Sequence, residues 1–172
     1  MNYGNALWIG AKARLAQELI ESSWHDSLET GDSHPPWNWA DTWPVARLQH
    51  ASTGTDLFVL AGADGSSLAF GPGHLSGTDD PGKGVSVIGG HRDTHFRFLR
   101  EVQLKDELLL QSKDGDWQRY IVDHIETVNS EDQTLMLPVD ENRLILITCY
   151  PFDNWVPGGP MRYIVEASLV SA

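Results

Sequence analysis

Leu144-Ile145-Leu146-Ile147-Thr148-Cys149-Tyr150-Pro151-Phe152 is the stretch that decides the fold of this chain. Four consecutive apolar β-formers suit a strand covered on both faces, and a proline, which has no N–H for the ladder, ends it. Cys149, the only cysteine among 172 residues, is thereby placed at the mouth of a strand. A solitary cysteine behaves by default as a small buried hydrophobe, so its neighbours must supply the reason to treat it as a nucleophile.

Outward from this strand the pattern is one of short strands broken by glycine and proline. Asp56 to Ala61 alternates weakly, Ala63-Asp64-Gly65 forms a turn, and Gly84 to Gly90 is a buried strand closing on two glycines. Glu107 to Ser112 and Gln118 to Val128 flank Lys113-Asp114-Gly115-Asp116, where Asp-Gly marks a hairpin. Met161 to Val170 supplies the last strand, and Phe96 to Arg100 is the one helical turn expected in this region. Strands so spaced, with few helices to cover a parallel sheet, predict a mainly β fold, a closed or nearly closed barrel.

Two segments precede the barrel. Ile9, Ala13, Ala16 and Ile20 recur at helical spacing, widened by Trp8, Leu15 and Leu19, and predict an amphipathic helix reaching to about Trp24 that makes an accessory contact. Gly31 to Pro44 holds three prolines, which forbid a regular helix, and three tryptophans, which favour burial. It reads as an extended arm pinned across the barrel. The division is an N-terminal helix over 1–30 and a barrel with its Trp/Pro-rich arm over 31–172.

Composition excludes several functions. Lys and Arg number 12 against 24 Asp and Glu, and the net charge of -12 opposes binding to nucleic acid or to an anionic membrane surface. No run of 18 apolar residues is long enough to cross a bilayer. The abrupt amphipathic opening is expected to be the tail of something longer.

A thiol becomes a nucleophile when a base or a cation holds its thiolate, and histidine is the usual partner. Of the seven histidines, His91 stands directly after Gly89-Gly90, where a side chain can be held rigidly and still reach a cleft. His74 and His95 are its rivals. His25, His34, His50 and His124 read as surface or packing residues. Arg162 opens the closing strand, and a planar fork of N–H donors there can meet an oxyanion or a peptide backbone; a surface ion pair is the bland alternative. His91-Arg92-Asp93-Thr94-His95 lacks the glutamate and the helix of a zinc protease, and Ser130-Glu131-Asp132-Gln133 reads as a solvated turn, so no metal is assigned.

Gly71-Pro72-Gly73-His74, Pro81-Gly82, Gly90-His91-Arg92, the run into Thr148-Cys149 and Arg162, in this order, resemble the sortases. These are cysteine transpeptidases built on an eight-stranded β-barrel. The arm Pro36 to Pro44, with Gly90 to Phe96 and Thr148 to Phe152, looks most like the Gram-negative, marine-proteobacterial sortases of class GN. Isoleucine at 145 departs from the usual Thr-Leu-Xaa-Thr-Cys and removes only a hydroxyl.

The resemblance implies that Cys149 is the nucleophile, His91 the acid and base, and Arg162 the oxyanion or substrate holder, with no cofactor. It also implies a partner protein with a C-terminal sorting signal and an amine acceptor. The location implied is the inner membrane, with the catalytic domain facing the periplasm and tethered by an N-terminal anchor outside this chain. The alternatives are a hydrolytic cysteine peptidase and a peptide-binding barrel without chemistry.

Overall fold

A computed structural model describes residues 3–170, and their side chains from residue 8 onward. Eight strands, β1 (Pro44–His50), β2 (Thr55–Ala61), β3 (Gly73–His74), β4 (Val85–Gly89), β5 (Glu107–Ser112), β6 (Trp117–Asn129), β7 (Arg143–Cys149) and β8 (Met161–Leu169), close into one barrel. The order around it is β1-β2-β3-β4-β7-β8-β6-β5, so the mainly β, eight-stranded architecture expected from the sequence is the one observed. β7 lies parallel to β4 and antiparallel to β8.

Alternation along β7 divides its residues between two apolar bodies. Leu144 and Leu146 enter the barrel core with Leu48, Leu110, Tyr120 and Val165. Ile145 points outward, into a second cluster with Val85, Val87 and Ile164, against which Leu135 and Ile147 pack. That second cluster is why β7 has no polar face. Full burial of one such aliphatic side chain contributes roughly 1.5–3 kcal/mol, so each of these clusters stabilises the sheet substantially.

Three features differ from the sequence reading. The helix α1 (Tyr3–Thr30) runs past Trp24, and it is anchored by Ala16, Ile20 and Trp24 while Trp8, Ile9 and Leu15 are exposed. Trp24 Nε1 donates to Gln111 Oε1 on β5 at 3.2 Å, so the second half of α1 is a packed element and more than an accessory contact. In the arm, Trp37 packs edge-on against Phe70, but Trp39 is 84% exposed, so the expected burial of all three tryptophans does not occur. His50, read as a surface or packing residue, is the latter, fully buried on β1 between Thr53 at 2.8 Å and Asp106 at 3.0 Å. A short helix α2 (Gly65–Leu68) follows β2 in the segment read as a turn.

Candidate active site

Strand register gathers the candidate residues around Cys149. In the parallel pair, Gly89 of β4 lies beside Ile147 of β7. The pairing continues through the Gly90 amide, which donates to the Ile147 carbonyl at 3.1 Å, and the Thr148 hydroxyl, which donates to the Gly90 carbonyl at 2.7 Å. Two residues beyond Gly89 therefore brings His91 level with Cys149. On the other side, Arg162 of β8 is the direct cross-strand partner of Cys149. The thiol thus sits at the end of β7, partly buried and unbonded, with a histidine on one flank and an arginine on the other.

Gly90 is glycine for a steric reason. A Cβ there would stand 2.7 Å from Cγ of Phe96, whose ring lies against the backbone just before His91. The Phe96 amide donates to the His91 carbonyl at 3.0 Å and closes the turn that holds His91 at the strand end.

Two open cavities, each of about 640 Å³, lie at the end of β7, and Cys149 lines the first of them. One is lined by His91, Cys149, Arg92, Arg97 and the loop from Phe152 to Gly158. The other runs along the outer face of the sheet over Ile147 and Ile164, under Leu135 and Met136, with Arg162 on its wall. Cys149 and His91 therefore share a cavity, whereas Arg162 lines the neighbouring one. Arg162 Nη1 donates to the Gly159 carbonyl at 2.7 Å and to the Met161 carbonyl at 2.9 Å, which fixes the guanidinium to the loop before β8.

The rival histidines are placed differently. His74 Nε2 lies 2.9 Å from the Asp79 carbonyl and 3.0 Å from the Thr78 hydroxyl, in a separate cavity with Pro81 and Lys83. His95 is pushed below the ordinary histidine range, first by burial and then by the nearby His91, with Asp93 opposing. Beside the loop, Tyr150 stacks on Tyr163, and Phe152 meets Tyr163 edge-on. Burial, followed by Tyr150, raises the Tyr163 phenol above its ordinary value.

Sequence reasoning missed the second line of residues. The side chain of Arg92, directly after His91, is buried and donates to the carbonyls of Asn154 at 2.9 Å and Val156 at 2.8 Å, tying the loop to the end of β4. Leu135 and Met136 come from a stretch without periodicity, and only its apolar residues between charged neighbours signalled contact with a sheet. Among the described residues, one group has metal-ligand spacing: His124, Glu126 and Glu166, with donor atoms within 4.8 Å of one another. It is partly solvent-exposed, and Glu166 is already paired with Arg143 at 3.0 Å.

Residues 48–170 match the sortase domain family. The chain belongs to the sortases. It is 33% identical over 126 residues to Sortase D of Bacillus subtilis (strain 168), covering 72% of this chain and 63% of that protein. Among solved structures, Sortase A from Corynebacterium diphtheriae superposes with a TM-score of 0.69 at 29% identity, over 78% of this chain and 64% of that one. The chain therefore spans somewhat under two thirds of each of these relatives. Sortase C from Clostridium perfringens, solved with the C-terminal cell wall sorting motif, shares the fold, with a TM-score of 0.66 at 19% identity over 94% of this chain and 91% of that one. As a sortase, the chain belongs to a family of cysteine transpeptidases. Its site offers what such chemistry requires: one accessible thiol, an imidazole beside it, and a fixed cation across the strand.

Proposed function

We propose that this protein is a cysteine transpeptidase that cleaves a C-terminal sorting signal of a partner protein and transfers it to an amine. The observation that carries this reading is the single thiol, Cys149, held level with His91 on one side and Arg162 on the other. Cys149 attacks a backbone carbonyl of the signal; the C–N bond breaks, His91 gives the leaving amine a proton, and a thioester forms. The incoming amine then loses a proton to His91 as it attacks the thioester, and the thiolate leaves.

The cavity over Ile147 and Ile164 suits the acyl side of the signal. It is a trough of mixed character on the outside of the barrel, with Leu135, Met136, Ile147 and Ile164 beside Gln133, Thr134, Glu126 and Glu166, and with Arg162, the cross-strand neighbour of Cys149, on its wall. Arg162 keeps Nη2 and Nε for the peptide backbone or the developing oxyanion while Nη1 holds the loop. The Clostridium perfringens relative solved with a C-terminal cell wall sorting motif supports the substrate class.

The finer assignment rests on the arm and the two flanking motifs. We take the protein as a class GN sortase of a Gram-negative envelope, with 31–172 as its catalytic domain and 1–30 leading from an inner-membrane anchor, the site facing the periplasm. Protease accessibility of the tagged protein in spheroplasts tests the location, and protection from added protease would refute it. The reaction is tested by incubating the chain with a library of peptides and amines and reading masses. An acyl adduct on Cys149, discharged by amine to a transpeptidation product, is expected. Discharge by water alone would make the protein a peptidase, and absence of any adduct would leave a binding barrel.

A further inference from the structure

The two cavities at the end of β7 have different duties under the function proposed above, on which this inference rests. The acyl group stays on sulfur while one amine leaves and another enters, and both exchange a proton with His91. The cavity that contains His91 is therefore the amine side.

Its walls carry two guanidiniums although the chain as a whole is strongly acidic. Neither Arg92 nor Arg97 has an ion-pair partner among the described residues. Arg97 is exposed on the short helical turn after His91. Arg92 is only 8% exposed; Nη2 meets the two loop carbonyls, but Nη1 finds no acceptor and is closed off from water. Two neutral carbonyls do not compensate a buried cation, and an unused N–H adds to the deficit. Of the carboxylates on the same walls, Asp153 is paired with Arg100 at 3.2 Å, which leaves Asp93 as the one acid opposing two arginines.

We propose that this cavity selects an acceptor amine that also carries a carboxylate, an amino acid or a peptide acid, and that Arg92 and Arg97 hold the carboxylate. A carboxylate is a stronger acceptor for guanidinium than a peptide carbonyl, so it competes for Arg92 with Asn154 and Val156 and supplies the missing counter-charge. The loop it displaces is exposed from Asp153 to Gly159, with Trp155 fully in solvent. With the carboxylate held, the amine nitrogen attacks the thioester carbon. The C–N bond forms, the C–S bond breaks, Cys149 leaves as thiolate, and the amine proton passes to His91.

Iodoacetate and iodoacetamide test the site without any substrate, since both alkylate a thiol with loss of iodide and they differ in carrying a carboxylate or a neutral amide. The quantity measured is the iodoacetate to iodoacetamide rate ratio at Cys149, divided by that of a small free thiol. In the wild-type chain it should be about tenfold or more, the effect of one charge-assisted hydrogen bond. Arg92→Gln should bring it towards one, and Arg92→Lys should keep part of it. Arg97→Gln, at an exposed position that leaves the buried loop tie in place, should lower it by roughly threefold, so the test stands even where Arg92→Gln does not fold. A normalised ratio near one in the wild type, or one unmoved by both Arg92→Gln and Arg97→Gln, would overturn the proposal. So would a ratio that falls only in Arg162→Gln, because the anion would then lie in the other cavity. Iodoacetamide reactivity without preference for iodoacetate refutes the carboxylate site alone. A Cys149 inert to both reagents refutes the nucleophile reading and this proposal together.

Discussion

Thr148→Val removes one hydroxyl and keeps the shape of the side chain, so it isolates the bond from Thr148 to the Gly90 carbonyl. Thr148 is 2% exposed, and water cannot replace the lost donor. Losing a buried hydrogen bond of this kind costs roughly 0.5–1.5 kcal/mol, more where the acceptor stays unpaired, so about 1–2 kcal/mol is expected. In a chain of this size that lowers Tm by about 2–8 °C. The kinetic effect should be larger than the stability effect suggests. Gly90 immediately precedes His91, and Thr148 immediately precedes Cys149, so this bond ties the base to the nucleophile. A displacement of about 1 Å between reacting groups can cost roughly 100-fold in rate. Thr148→Ser keeps the hydroxyl and loses the methyl, at a cost of roughly 0.5–1.5 kcal/mol. The two variants should therefore melt alike and differ in turnover, the serine enzyme within about threefold of wild type and the valine enzyme about 10- to 100-fold down. Thermal melting beside turnover of a cleavable peptide reads both quantities. A valine variant with lowered Tm and normal turnover would show that the bond only stabilises the sheet, and would refute the positioning argument.

Cys149→Ala and His91→Ala should each abolish turnover and leave the melting curve near that of wild type, since neither side chain belongs to the core; His95→Ala should be milder, and the reverse order in a rate assay would reassign the base. Arg162→Lys keeps the charge and loses the planar fork, and turnover should fall roughly 100- to 1,000-fold while iodoacetamide labelling of Cys149 changes little; a rate within about threefold of wild type would return Arg162 to a surface role. Because burial holds the folded His95 below its ordinary value of 6.5, the unfolded chain takes up that proton first, so stability is full above pH 6.5 and falls as the pH drops through it. His95→Gln should flatten the fall of Tm as the pH drops below 6.5, and an unchanged slope would reject the assignment. Trp24→Ala should cost roughly 3–5 kcal/mol and Trp8→Ala almost nothing, as differential scanning calorimetry would show, because Trp24 is fully buried and Trp8 is 62% exposed.

The fold was legible wherever a strand is covered on both faces or a turn has a chemical signature. Leu144 to Ile147 is an uninterrupted apolar run, and Val85 to Ile88 is broken only by the buried Ser86, because the core lies on one side of each and the outer cluster on the other. Asp114-Gly115 turns the hairpin between β5 and β6, with Gly115 in the left-handed region that a side chain resists. β1 was hidden because its inward residues include Pro44 and His50, the latter buried as a polar pair with Asp106, so the hydrophobic period is broken where the strand is most buried. β3 is two residues long and has no period at all. Trp39 misled because an aromatic ring favours burial only where a partner surface exists, and the arm provides one for Trp37 alone.

The placement of the site was legible to the extent that register follows from burial. Side chains alternate strictly along β7, and Leu144 and Leu146 are inside the barrel, so Ile145, Ile147 and Cys149 must be outside it. A slip of one residue would turn the thiol into the core and drive Leu144 and Leu146 into the outer cluster shaped around Ile145 and Ile147, so that neither apolar body would keep its packing. The packing that stabilises β7 therefore also aims its nucleophile. Sequence order cannot show what lies across from Cys149, because its neighbours on the two sides come from 58 residues earlier and 13 later, through a parallel crossover and an antiparallel return. Those two pairings, each held by its own apolar cross-strand contacts, set His91 and Arg162 at one level, so a substitution that shifts either register should separate the three residues without touching any of them.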